Sequence, residues 1–154
     1  MIHILYMIRK EYINTLRELE KATPINFYDS IQLNNMAKKT RLKNKWNTCN
    51  SWDLFRPSDH KIYSILNTDD SSKSGTHWVS LVQSGKTLYV YDSFGRTKEY
   101  LMKQFSDWMN SNGYKVVFIN KKGEQNGKQV NCGLRSLLWL IFVDKYGLMK
   151  CKNI

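Results

Sequence analysis

The sequence predicts an α+β fold, with a central, mainly antiparallel sheet flanked by helices. Three observations predict it. An apolar run over residues 134–143 places Leu134, Leu137, Leu138, Ile141 and Phe142 at helical spacing. Two β-rich segments, over 77–82 and 87–92, are joined by Gln83-Ser84-Gly85-Lys86, a loop that suits a hairpin. Further helix-period and strand-like segments precede and separate them. At 154 residues, 42% apolar and 13% aromatic, the chain reads as one folded domain over 1–154, with an N-terminal helical region over 1–58 and a core over 59–147.

The elements follow in order. Residues 1–10 are apolar, but the run is too short to span a bilayer and lacks a leading positive region and a small-residue cleavage site. It reads as part of a packing helix that reaches Lys21, with Ile13, Leu16 and Leu19 on or near one face. Thr23-Pro24 breaks that helix. A second helix is expected over 27–39, with Tyr28, Ile31 and Met36 inward. The most basic stretch comes next: Lys38, Lys39, Arg41, Lys43 and Lys45, followed by a loop pinned by Trp46 and Trp52, with Cys49 between them. Residues 61–67 form a strand anchored by Ile62 and Ile65. Asp69 and Asp70 lie in a polar turn without a third ligand nearby in sequence, which favours a solvated loop over a metal site. In the strand that follows His77, Trp78 points to the opposite face and is expected to pack in the core. A helix over 96–112 presents Leu101, Phe105, Trp108 and Met109 and ends at Gly113; residues 114–120 return as a strand. Tyr146-Gly147 supplies the C-cap of the last helix.

Charge bounds the partners. Lys plus Arg number 24 against 13 Asp plus Glu, a net charge of +11 with a pI near 9.6. Further basic residues fall at Lys121, Lys122, Lys128, Lys145, Lys150 and Lys152. Such a balance on a small domain points to a polyanion. With no base-reading motif, binding to DNA would be non-specific and salt-dependent. For the stretch from Lys38 to Lys45 a solvated face is the plainer reading and a phosphate-contacting patch the functional one. Three cysteines, at 49, 132 and 151, give an odd count without a C-x-x-C pair. Neither a disulfide framework nor a zinc site is expected, and a reducing compartment is.

Cys132 opens the apolar helix after a polar, glycine-containing loop. At a helix N-terminus the unpaired amides and the macrodipole favour a thiolate, the form a nucleophile needs. A base is also required, and the chain offers His3, His60 and His77. The hairpin brings the start of its first strand beside the end of its second, so His77 and Asp92 meet through local pattern alone. A carboxylate on one imidazole nitrogen fixes the tautomer and leaves the other nitrogen for the thiol. Against this stands the ordinary role of a lone cysteine, a buried inert thiol.

The ordered set Gly75-Thr76-His77-Trp78, Tyr91-Asp92-Ser93-Phe94-Gly95, then a glutamine before Cys132-Gly133, resembles the adenovirus endopeptidase (adenain) family, and more distantly the ubiquitin-like-protein proteases. The resemblance extends upstream through Asp59-His60-Lys61-Ile62-Tyr63 and covers roughly 59–147. It implies His77 as general base, Asp92 as the acid that orients it and Cys132 as nucleophile. Gln125 fits the family's oxyanion glutamine by the adenovirus spacing, with Gln129 as the competing candidate. It also implies a papain-like arrangement in permuted order, His before Cys. The activity implied is that of a viral cysteine endopeptidase processing capsid or core precursors during virion maturation, near glycine-containing sequences. By the same resemblance DNA or a peptide would activate it, within the virion and the infected cell, in the nucleus or a cytoplasmic virus factory; a monomer is expected, with no cofactor required for the chemistry. Only 22 residues follow Cys132, fewer than in the adenovirus enzymes, whose additional C-terminal helical region helps dock their activating peptide. Two other readings remain: a deconjugating protease for ubiquitin-like modifiers, and a non-catalytic basic protein that binds nucleic acid.

Overall fold

A computed structural model describes residues 2–22, 28–96, 102–120, 123 and 131–154. Five strands form one sheet in sequence order: β1 (Trp46–Ser51), β2 (Tyr63–Asn67), β3 (Trp78–Ser84), β4 (Thr87–Tyr91) and β5 (Lys115–Phe118). The helices are α1 (Ile2–Ala22), α2 (Ser30–Ala37), α3 (Lys103–Ser111), α4 (Cys132–Tyr146) and α5 (Leu148–Cys151). The α+β class holds, but the sheet is mixed rather than mainly antiparallel. The two central ladders, β2–β3 and β3–β4, are antiparallel, while β1–β2 and β4–β5 at the edges are parallel. Parallel neighbours need a crossover. The segment between β1 and β2 supplies one, and the stretch containing α3 supplies the other.

Both faces of the sheet are covered. On one, Ile65, Val82 and Tyr91 pack with α1, α2, α4 and α5. On the other, Leu66, Val79, Leu81, Leu88 and Val90 pack with α3 and Phe55. Alternate residues of each strand serve opposite cores, so β2 is buried at every position. The largest fully buried side chain, Trp139 of α4, stacks on Tyr91 with ring centroids 4.3 Å apart and donates its indole N–H to the Cys151 carbonyl at 3.0 Å.

Helix α4 is the central element. Gly133 through Leu140 are all buried, as are Phe142 and Val143. A helix with the sheet on one side and α1 and α2 on others is apolar nearly all round, and for that reason its sequence shows a run rather than a stripe. Gly147, with φ of +93°, ends it.

Several expectations need correction. In α1 the buried residues are Ile8, Tyr12 and Leu16, whereas Ile13 is exposed. Helix α2 is shorter than expected and starts after Tyr28, which is buried. Leu33 and Ala37, one turn apart, face the core, and Ile31 is 70% exposed. An Asp29–Gln32 capping box fixes that start: Asp29 accepts the Gln32 N–H at 2.8 Å, and Gln32 accepts the Asp29 N–H at 2.9 Å. The segment read as a loop pinned by two tryptophans is strand β1, with Trp46 buried at its head and Trp52 in the turn beyond it. Helix α3 begins at Lys103, preceded by Met102 in the left-handed region (φ 57°), not at Arg96. Thr23-Pro24 and Leu101 lie outside the described residues.

Candidate active site

His77 stands immediately before β3 and Asp92 immediately after β4, at the same end of the central hairpin. The His77 Nε2–H donates to Asp92 Oδ1 at 2.6 Å. Both are buried, His77 to 4% exposure and Asp92 completely. Nδ1 is thereby left for the thiol, and Cys132 and His77 are close enough that each shifts the other's pKa.

The sheet delivers the cysteine as well as the base. Helix α4 crosses β3, where the Ser80 hydroxyl donates to the Ser136 carbonyl at 2.8 Å and the Ser136 hydroxyl donates to the Trp78 carbonyl at 3.2 Å. These bonds fix the helix on the strand that follows His77. Cys132 is the first residue of α4, where the nearby N–H groups of Trp78 and Gly133 favour its thiolate.

The electrostatics follow from these contacts. Burial pushes the Cys132 thiol up, but the bond to His77, the imidazole charge and the two backbone N–H groups outweigh it and hold the thiol below its ordinary value. Burial pulls His77 down, and the bonds and charges of Asp92 and Cys132 outweigh it, leaving the imidazole above its ordinary value. Asp92 is held below the usual carboxylate range: its burial is outweighed by His77, the Phe94 N–H and Arg96. Each shift favours the charged form, so the three side chains stabilise a thiolate–imidazolium–carboxylate line. The other two thiols behave oppositely. Burial raises Cys49 far above its ordinary value and pushes Cys151 up to about 12.

Asp92 has more partners than the sequence revealed. Its Oδ1 also accepts the Phe94 N–H at 3.0 Å, and its Oδ2 accepts the Arg96 backbone N–H at 3.2 Å and Nε–H at 2.9 Å. Buried Asn120, just beyond β5, clasps its backbone: the Asp92 N–H donates to Asn120 Oδ1 at 3.1 Å, and Asn120 Nδ2 donates to the Asp92 carbonyl at 2.5 Å. The Asp-Ser-Phe-Gly turn was a visible signal for Phe94 and Arg96. Nothing local pointed to Asn120, which lies 28 residues away in the chain.

A cleft of about 670 Å³ opens over the pair, lined among others by Tyr28, Asn50, Asn67, Gly75, Trp78 and Gly133. Gly75 has φ of +91°, and a β-carbon there would stand 2.7 Å from Asn67 Nδ2, so only glycine fits beside Asn67 on the approach to His77. Trp78 packs against the core as expected, but it is only half-buried and also lines the cleft, its indole N–H donating to the Tyr28 carbonyl at 3.0 Å. A β-carbon on Gly133 would meet Trp78 and Leu33 at 3.2 Å each, so the start of α4 packs closely on α2 and Trp78.

The remaining candidates separate from this cluster. Gln125 and Gln129 lie outside the described residues, as do Lys121, Lys122 and Lys128. Lys38, Lys39, Arg41, Lys43 and Lys45 are exposed, and none lines the cleft. Two of them are engaged: Arg41 Nε and Lys45 Nζ lie 2.7 and 3.5 Å from the Asp144 carboxylate. Lys145 pairs with Glu11 at 3.0 Å. Among the described residues no group of three His, Cys, Asp or Glu is placed to hold a metal ion, and no helix is long and apolar enough to cross a membrane.

No protein-family model matches the sequence, and no curated protein matches it. The functional reading rests on the chemistry of the residues. A thiol held toward thiolate, with an oriented imidazole close by and an open cleft above, is equipped for nucleophilic acyl transfer.

Proposed function

We propose that this protein is a cysteine endopeptidase of papain-like arrangement in permuted order. The observation that carries the reading is the Cys132–His77–Asp92 line, built at the N-terminus of a buried helix and the open end of a hairpin. Cys132 Sγ adds to the scissile carbonyl and its proton passes to His77 Nδ1. The tetrahedral intermediate collapses, the C–N bond breaks, and His77 gives that proton to the leaving amine. Water, deprotonated by His77, then attacks the thioester, and the departing thiolate restores the starting pair. Asp92 holds the imidazole with Nε2–H toward itself throughout. The Cys132 backbone N–H and Gln125, or Gln129, would donate to the oxyanion.

The resemblance to the adenovirus endopeptidases supports virion precursor proteins as substrates. The net charge of +11 supports a polyanion such as DNA as an accessory partner.

The test is iodoacetamide alkylation of each cysteine, followed by mass spectrometry across pH, with Cys49 and Cys151 as internal controls and with or without DNA. Cys132 should react well below an unperturbed thiol pKa of about 8.5 and lose that reactivity in His77→Ala. Peptide cleavage should vanish in Cys132→Ala. Alkylation of Cys132 no faster than the controls, or proteolysis that survives Cys132→Ala, overturns the reading.

A further inference from the structure

We propose that Arg96 is a positioning residue of this site: its guanidinium grips the outer oxygen of Asp92 and lies over Phe94, whose ring covers His77. The inference rests on the thiol-protease reading above. Asp92 divides its oxygens between two tasks. Oδ1 serves His77 at 2.6 Å, and Oδ2 is held by Arg96, through its backbone N–H at 3.2 Å and Nε–H at 2.9 Å. With Oδ2 fixed, the carboxylate cannot rotate about its own axis, and Oδ1 stays on the imidazole. The same guanidinium sits 5.1 Å from the Phe94 ring centroid, and that ring lies 4.8 Å from the His77 ring. One planar side chain thus fixes both the acid and the cover of the base. A lysine, a point charge on a flexible stem, cannot do both.

The placement has a cost that solvation would avoid. Arg96 Nη2 is buried and finds no hydrogen-bond partner among the described residues, although the side chain as a whole is 39% exposed. A surface arginine without a task would extend into water. A β-carbon on Gly123 would collide with the Phe94 carbonyl, so Gly123 lies directly against the turn that carries Arg96.

Arg96 also acts through charge. Among the described residues, the groups facing Asp92 and His77 are Cys132 from α4, Arg96 from their own turn and the neutral amide of Asn120 from beyond β5. Arg96 is the permanent cation among them. Removing it makes the site more negative, which favours the protonated forms of both His77 and Cys132. The thiolate–imidazolium pair would then form and dissolve at higher pH.

Cys132 alkylation by iodoacetamide reads this without any substrate. In the wild type the rate should rise in two steps, as the thiol loses its proton and then as the imidazolium loses its own. In Arg96→Gln both inflections should move to higher pH, so alkylation at the acid end slows several-fold. In Arg96→Lys the charge remains. The inflections should then stay near the wild-type positions while kcat for peptide cleavage falls, because the planar grip is lost. An Arg96→Gln profile that superimposes on the wild type, or an Arg96→Lys profile displaced as far as that of Arg96→Gln, overturns the proposal. Should Arg96→Gln fail to fold, Arg96→Lys alone decides, through kcat: cleavage at the wild-type rate refutes a positioning role. An ordinary wild-type thiol would bring down the protease reading itself, and this inference with it, a result distinct from either failure above.

Discussion

Asp92→Asn tests the site most directly, because an amide cannot satisfy what surrounds this carboxylate. Four N–H groups converge on it, two per oxygen: His77 and Phe94 on Oδ1, Arg96 twice on Oδ2. An asparagine offers one acceptor and one NH₂. If its oxygen faces Arg96, its NH₂ confronts the Phe94 N–H and His77, and the imidazole must place its proton on Nδ1, toward the thiol. If its oxygen faces His77, its NH₂ confronts Arg96 and the ion pair is lost. Each buried donor left unsatisfied costs about 1–3 kcal/mol. With the Arg96 share discounted for its solvent exposure, the expected destabilisation is about 2–4 kcal/mol.

The pH dependence follows from the directions of the shifts. Asp92 is depressed, so its contribution is present above an unfolded carboxylate pKa of about 3.9 and is lost as pH falls through the lower folded value. His77 is raised, so its contribution is complete below an unfolded pKa of about 6.5 and is lost as pH rises through the higher folded value. The stability difference between wild type and Asp92→Asn should therefore peak in the window between about pH 4 and 6.5 and shrink on both sides. Urea unfolding at a series of pH values measures it, and Cys132 alkylation at pH 6.5 should fall on the order of tenfold with the wrong tautomer. A difference under about 0.5 kcal/mol throughout, with alkylation unchanged, would refute the reasoning that Asp92 is bound by these four donors.

Other outcomes follow from single contacts. Asp29→Ala should cost about 1 kcal/mol in chemical denaturation through loss of the α2 cap, whereas Asp29→Asn, which keeps an acceptor, should cost a few tenths at most. Gly75→Ala combines a φ of +91° with a 2.7 Å approach to Asn67. It should destabilise by about 1–2 kcal/mol and slow Cys132 alkylation by displacing His77; full reactivity would show that the turn does not govern the base. Trp139→Ala removes the largest buried side chain and should cost about 3–5 kcal/mol in thermal or urea unfolding. Asp144→Asn frees Arg41 and Lys45; if the patch from Lys38 to Lys45 contacts phosphate, DNA affinity should rise and its salt dependence steepen.

What could be read from the sequence divides along the range of the interactions. His77 and Asp92 were legible because a short hairpin joins them, and a turn is specified by the residues inside it. Cys132 was legible because the helix it opens is apolar enough to announce its own start. Strand β1 was not, since Trp46-Asn47-Thr48-Cys49-Asn50-Ser51 lacks alternation and becomes a strand by pairing with β2 at an edge. Ile31 was placed inward on hydrophobicity alone, yet the Asp29 cap sets the rotation of α2 and turns Leu33 and Ala37 to the core. Arg96 was read as the start of a helix and proves to be the end of a turn folded back on Asp92. Asn120 acts only where β5 lies against β4, which no local pattern encodes.

Exposure grades along the site, from a carboxylate fully out of water, through an imidazole at 4%, to a partly buried thiol that lines the cleft. Burial opposes the charged form of each, and for all three it is the largest single influence. No member could hold its charge alone at this depth; each does so through the other two and the N–H groups of Trp78, Gly133, Phe94 and Arg96. The titration therefore belongs to the ensemble, and removal of any one member should disturb the apparent pKa of the rest. A core that only had to be stable could fill this space with apolar side chains at no loss. Buried charge held together by so many donors, with its thiol end opened to a cleft, is what supports the proposed thiol chemistry over a purely structural role.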